Sequence, residues 1–201
     1  MLIFAQNKFV MDSKITGIIL SGGKSRRMGR EKGLCKFKGK ELVQYSIDVL
    51  SPFCETIILV ANDEQYKKFR YEVYADEIKD IGPIGGIYTG LKHSRTESNF
   101  ILSCDMPMIS HQLIEYILLN RKDKQIVVPD FGGFIEPLCA FYRANIFAQL
   151  KNTIDEQNYK LADFIKTTNF EELKIDKQLG FFHPLLFANI NSERELEELG
   201  L

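Results

Sequence analysis

Four runs dominated by apolar and β-branched residues, Thr16 to Leu20, Thr56 to Val60, Phe100 to Leu102 and Gln125 to Pro129, alternate with segments whose apolar residues recur at helical spacing. Strands without a polar face are buried on both sides, which happens where helices cover both faces of a parallel sheet. The alternation therefore predicts an α/β chain built as a three-layer α/β/α sandwich around a mostly parallel sheet.

Val43, Ile47 and Leu50 mark one helix face, closed off near Ser51-Pro52. Asn62-Asp63 and Ser110 are placed to cap helices, and Tyr71 to Ala75 and Pro137 to Tyr142 read as further strands. Gly82-Pro83-Ile84-Gly85-Gly86 reads as a turn-rich stretch before a helix through Ile87 and Leu91. Helical patterns follow around Ile146 to Leu150 and Lys160 to Ile165, and Ser192 to Glu195 forms a capping box ahead of a last helix stopped by Gly200. No linker or repeat divides the chain, so residues 14–201 are expected to form a single domain, with 1–13 an extension before the first patterned element.

Lys and Arg number 26 against 27 Asp and Glu, and that balance argues against a nucleic-acid binder with a broadly basic surface. Cysteines 35, 54, 104 and 139 are widely spaced, with no C-x-x-C pair, which suits inert thiols in a reducing cytoplasm. No apolar stretch approaches the roughly 20 residues of a membrane span. The expectation is a cytoplasmic chain that engages neither nucleic acid nor membrane.

Against this near-neutral background one loop stands out. Leu20-Ser21-Gly22-Gly23 leaves the first strand, and Lys24, Arg26, Arg27 and Lys32 follow within a few positions. A P-loop is excluded because position 18, five before Gly23, is Ile18, and a dinucleotide fingerprint is excluded because Lys24 stands where its second glycine belongs. Paired glycines let backbone amides approach phosphate closely, and the rim at the carboxyl ends of parallel strands is where open α/β sheets bind ligands. The competing reading, a solvated basic loop, does not account for glycines interleaved with the charges.

Phe100-Ile101-Leu102-Ser103-Cys104-Asp105 puts an aspartate just past another core strand, on the same rim. Its carboxylate can hold a divalent cation that bridges phosphate oxygens, or it can cap the following turn. A phosphate cradle and a metal carboxylate on one edge point to transfer of a phosphorus group. No Ser/His/Asp set is apparent, and His93, His111 and His183 lie in polar surroundings.

The run LSGGKSRRMGREKGL, with Gly39-Lys40 after it, resembles the signature L-[AS]-G-G-x-S-x-R-M-G-x-D-K-x-L…G-K of nucleotidyltransferases that activate small molecules with a nucleoside triphosphate. Within that superfamily the chain is similar to the MobA family of molybdenum cofactor guanylyltransferases. The similarity extends through Gly82 to Gly86, Cys104 to Pro107, Glu136-Pro137-Leu138 with Tyr142, Lys160-Leu161 and Phe187 to Asn191. It implies a Rossmann-like, nucleotide-diphospho-sugar transferase-like fold.

The implied activity is transfer of GMP from GTP to the terminal phosphate of molybdopterin with Mg²⁺, together with proteins that hand the cofactor on. By motif position, Leu20, Ser21, Gly22 and Gly23 are expected to line the nucleotide pocket. Arg27 and Lys32 are expected to hold the triphosphate, and Asp105 the magnesium ion. Asn62 and Asp76 are expected at the guanine and ribose, and Asn189 and Asn191 on the molybdopterin side.

An aspartate can accept from the adjacent N1–H and amine of guanine, although Glu77 and Asp80 compete with Asp76 for that role, and Asp76 and Asn62 also suit a turn and a cap. Glu31 stands where the signature has Asp, and Ser192-Glu193 where Thr-Pro is frequent. Two other functions stay open: the same chemistry with CTP or a sugar phosphate, and a cofactor-binding protein without turnover.

Overall fold

The computed structural model describes residues 14–22 and 31–190. The expected extension 1–13, Gly23, Arg27, Asn191 and the expected last helix lie outside the described residues.

Ten strands are present among the described residues. They are β1 (Ile15–Leu20), β2 (Lys36–Phe37), β3 (Lys40–Glu41), β4 (Thr56–Val60), β5 (Glu72–Tyr74), β6 (Ser98–Ser103), β7 (Ile126–Phe131), β8 (Phe134–Ile135), β9 (Cys139–Arg143) and β10 (Phe170–Ile175). The α-helices are α1 (Leu42–Leu50), α2 (Pro83–His93), α3 (His111–Leu119), α4 (Phe147–Asp155) and α5 (Leu161–Lys166). The main sheet runs β10-β7-β9-β6-β1-β4-β5, with β8 added to β7, while β2 and β3 pair in a separate hairpin. β1 pairs in parallel with β4 and β6, as do β4 with β5 and β7 with β10; β9 enters antiparallel to both β6 and β7.

β1 is buried at every position, and its side chains alternate between two cores. Ile15 and Ile19 pack with Val43 and Ile47 of α1 and Leu113 and Ile117 of α3. Ile18 and Leu20 pack with Ile84 and Ile87 of α2, Leu150 of α4 and Phe164 of α5. Helices therefore cover both faces, and each fully buried Ile or Leu contributes about 1.5–3 kcal/mol relative to exposure. This is the expected three-layer sandwich.

Helix starts follow the local signals. Ser110 accepts from the Leu113 amide and opens α3, and Asp63 accepts from the Gln65 amide, although the turn it caps, Glu64–Phe69, is a 3-10 helix. The Gly82 stretch differs from expectation: Pro83 takes the first helical position, so Gly85 and Gly86 lie inside α2 rather than in a turn. The reason is close packing. A Cβ on Gly90 would stand 2.3 Å from Ile18 Cγ2, and one on Gly86 3.3 Å from Leu20 Cδ2, so these glycines let α2 rest directly on β1.

The chain leaves β1 toward β4 and β5, then returns to the other side of β1 as β6. That reversal opens a crevice at the carboxyl ends of β1 and β6. Backbone hydrogen bonds tie the strand exits together: Ser21 N–H to the Val60 carbonyl (2.9 Å), Ala61 to Tyr74 (2.9 Å) and Cys104 to Leu20 (3.0 Å).

Candidate active site

A cavity of about 570 Å³ opens at this rim, lined by Leu20 and Gly22 after β1, Val60 and Asn62 after β4, Asp76 after β5, Gly86 of α2, and Ser103 of β6. Ile78, Lys79, Asp80, Gly82, Pro83 and Leu138 complete the lining.

At the β4–β5 side, Asn62 and Asp76 bind each other twice. Asn62 Nδ2 donates to Asp76 Oδ2 at 2.9 Å, and the Asp76 amide donates to Asn62 Oδ1 at 3.1 Å. Gly22 sits against this pair, since a Cβ there would lie 3.0 Å from Asp76 Oδ2. A carboxylate oxygen has two acceptor positions, so Asp76 keeps accepting capacity beyond its bond to Asn62. Of its competitors, Glu77 is engaged elsewhere, binding Lys92 and His93, and the Lys92 bond leads in lowering its pKa. Asp80 does line the cavity.

On the other side, Lys32 and Asp105 meet. Lys32 opens a 3-10 turn, Lys32–Leu34, and its Nζ lies 2.5 Å from Asp105 Oδ2, with side chains only 18% and 17% exposed. β1 and β6 are in register, Leu20 beside Ser103, which carries the two loops to the same rim. Among the described residues, Asp105 Oδ1 and Ser21 Oγ are buried without hydrogen-bond partners, and Asn99 Oδ1 is the remaining such atom. Buried polar atoms are nearly always satisfied, so the orphaned Asp105 Oδ1 marks a place where a ligand completes the bonding, whereas Ser21 Oγ is enclosed beneath Gly33.

Asp105 suits a hard cation in this respect: one oxygen holds Lys32 and the other is unpaired. Magnesium is commonly held by one or two carboxylates together with substrate phosphates. Glu136, two residues before Leu138, has its carboxyl pKa raised above the ordinary range, by burial first and then by the charge of Asp105. The Ile190 amide donates to the Asp105 carbonyl at 2.9 Å, which brings the exposed Asn189 to the same loop.

The expected site residues thus fall into two groups at one strand-exit rim: Leu20, Gly22, Asn62 and Asp76 line the cavity, while Lys32 and Asp105 pair outside its lining, just past Ser103. The sequence reading had Asp80 as an alternative to Asp76, but it missed Ser103, Leu138, Ile78 and Lys79 as cavity walls, and it missed Tyr66, which lies beneath the Lys32 turn. The step from Ser103 to Cys104-Asp105 carried a signal, being the same strand exit. Tyr66 carried none, because a tyrosine in a capped turn reads as packing.

None of the three histidines lines the cavity. His93 stacks on Tyr74 at 3.8 Å between ring centroids, and His111 and His183 are exposed. The four cysteines are unpaired, and burial pushes the thiols of Cys54 and Cys104 up to about 12. No described helix is long and apolar enough to cross a membrane.

Residues 17–173 match the family described as MobA-like NTP transferase domain. A probable molybdenum cofactor guanylyltransferase of Flavobacterium johnsoniae is 37% identical, over 93% of this chain and 97% of its own length. The molybdenum cofactor guanylyltransferase of Syntrophotalea carbinolica is 32% identical, over 91% of this chain and 89% of its own. The solved structure of molybdopterin-guanine dinucleotide biosynthesis protein A from Archaeoglobus fulgidus superposes with a TM-score of 0.73 at 26% identity, covering 91% of this chain and 95% of that one. With the strand-exit crevice, its paired lysine and aspartate and these relatives all in agreement, the chain belongs to the MobA-like NTP transferase family.

Proposed function

We propose that the protein transfers GMP from GTP to the terminal phosphate of molybdopterin, releasing pyrophosphate. The observation that carries this reading is the strand-exit rim: the Asn62–Asp76 pair lines the cavity there, and the Lys32–Asp105 pair stands two residues past Ser103, which also lines it. A base held at the first pair would extend its phosphates toward the second. The names of the relatives, reported above, support guanine and molybdopterin as the substrates.

Asp76 accepts hydrogen bonds from the adjacent N1–H and amine donors of guanine, a pair that neither adenine nor cytosine presents. Asn62 fixes the carboxylate for that task. Attack of the acceptor phosphate on the α-phosphorus increases negative charge on the non-bridging oxygens and on the departing pyrophosphate. Lys32, already held in place, stabilises that charge without reorganising, and Arg27, by its motif position, adds a second cation.

The acceptor is itself an anionic phosphate near neutral pH, so a strong general base is unnecessary. Asp105, through Oδ1, is the residue to hold Mg²⁺, which when bound neutralises charge on the phosphate oxygens. Asn189, beside the Asp105 loop, and Asn191 serve the acceptor.

The test is pyrophosphate release by the purified protein with molybdopterin and each of GTP, CTP, ATP and UTP, with and without Mg²⁺. GTP alone should support rapid release. Selective release with CTP would overturn the guanine assignment, and release unaffected by chelation would overturn the metal role of Asp105.

A further inference from the structure

Tyr66 is fully buried in the 3-10 helix Glu64–Phe69, yet its hydroxyl points at functional backbone on two sides. It reaches the Ser21 carbonyl at 3.5 Å, a long hydrogen bond. On the other side it abuts Gly33, the residue after Lys32, so closely that a Cβ at Gly33 would lie 2.5 Å from the phenolic oxygen. The same Cβ would lie 3.1 Å from Ser21 Oγ and 3.2 Å from Cys104 Sγ.

Three segments of the crevice therefore converge beneath the Lys32 turn: the β1 exit at Ser21, the β6 exit at Cys104, and the turn itself. Tyr66 touches both Ser21 and Gly33. Its own position is set from the cavity side, because Asp63, adjacent to Asn62, accepts from the Gln65 amide at 2.8 Å and starts the helix that carries it. Burial first, and then the charge of Glu31, keep the hydroxyl protonated, so it remains available as a donor.

We infer that Tyr66 is a positioning residue for Lys32: its hydroxyl, seated between Ser21 and Gly33, fixes the height of the turn and so holds the lysine ammonium at Asp105. This inference rests on the proposed role of Lys32 at the triphosphate. Gly33 is part of the device, since any side chain there would displace the turn or the tyrosine. A displacement of about 1 Å at a group that acts on the transition state is enough to cost up to roughly 100-fold in rate.

The experiment compares Tyr66→Phe, Gly33→Ala and the double variant by pyrophosphate release, together with amide hydrogen exchange of the ligand-free proteins. Tyr66→Phe keeps the ring and should fold. We expect its kcat to fall about tenfold with KM for GTP within about twofold, the signature of an interaction made mainly in the transition state. Gly33→Ala should lose more, and adding Tyr66→Phe should restore at least about tenfold by removing the obstructing oxygen.

Exchange should quicken at Leu34 and Cys35, whose amides bond to the Glu31 and Lys32 carbonyls, while β1 stays protected. A wild-type kcat in Tyr66→Phe, a change confined to KM, or a double variant no faster than Gly33→Ala overturns the inference. If the wild-type protein released no pyrophosphate with any nucleotide, the proposed function would fail, and the exchange comparison would decide alone: unchanged exchange at residues 31–35 in Tyr66→Phe refutes the role of the tyrosine.

Discussion

Replacing Lys32 by alanine separates what the Lys32–Asp105 pair does for the fold from what it does for turnover. At 2.5 Å the gross attraction is about 6–7 kcal/mol with an effective dielectric near 20, and desolvation of the two ions offsets most of it. Removing one partner of a fully enclosed pair costs about 3–5 kcal/mol. Here the side chains keep 18% and 17% exposure, so water screens the orphaned aspartate and the cost falls to about 1–2 kcal/mol. In a chain of this size that lowers Tm by roughly 2–8 °C.

Turnover should fall much further, by about 100- to 1000-fold, the scale of losing one preorganised donor to a developing oxyanion. Asp105→Ala should likewise nearly abolish turnover. The double variant should recover about 1 kcal/mol relative to the sum of the singles, because no charge is left stranded, yet stay as slow as the worse single. Differential scanning calorimetry and steady-state pyrophosphate release read the two effects separately. A Lys32→Ala protein within about threefold of the wild-type rate, or a double variant that regained both stability and rate, would assign the pair to the fold alone and refute the reasoning.

Asn62→Ala removes the donor that fixes Asp76 and should raise KM for GTP about five- to tenfold, whereas Asp76→Ala should also erode the preference for GTP over ATP in kcat/KM; unchanged discrimination would move base recognition to Asp80. Gly90→Ala drives a methyl into Ile18 and should cost about 1–3 kcal/mol in denaturant unfolding, and a variant as stable as wild type would show that α2 does not lie so close to β1. Glu136 has a folded-state pKa above its unfolded value, so the folded chain binds the extra proton and stability falls as pH rises from the ordinary glutamate range through the raised pKa. Glu136→Gln should therefore raise Tm at neutral pH, a gain that disappears below about pH 4; a lowered Tm at neutral pH would contradict the burial argument.

Much of this architecture is written locally. The apolar runs of β1, β4 and β6, the caps at Asp63 and Ser110, and the helix periods of α1 and α3 each follow from a few neighbouring side chains, and all are found in the structure. β10 was not legible: Phe170–Ile175 gives no continuous apolar run, and the adjacent Glu171 and Glu172 break the alternation that holds only from Glu172 to Ile175. The β2–β3 hairpin, with two residues in each strand, was too short to leave a pattern.

The sequence by itself determined that helices cover a parallel sheet and that a cationic glycine loop follows its first strand, because propensity, capping and periodicity act over a few residues. Only the tertiary structure decided that β9 runs antiparallel between β6 and β7, that Asp76 rather than Glu77 faces Asn62, and that Tyr66 lies under Gly33. Lys32 and Asp105, 73 positions apart, meet because β1 and β6 pair in register, and such registers are settled by packing across the whole sheet rather than by either segment alone.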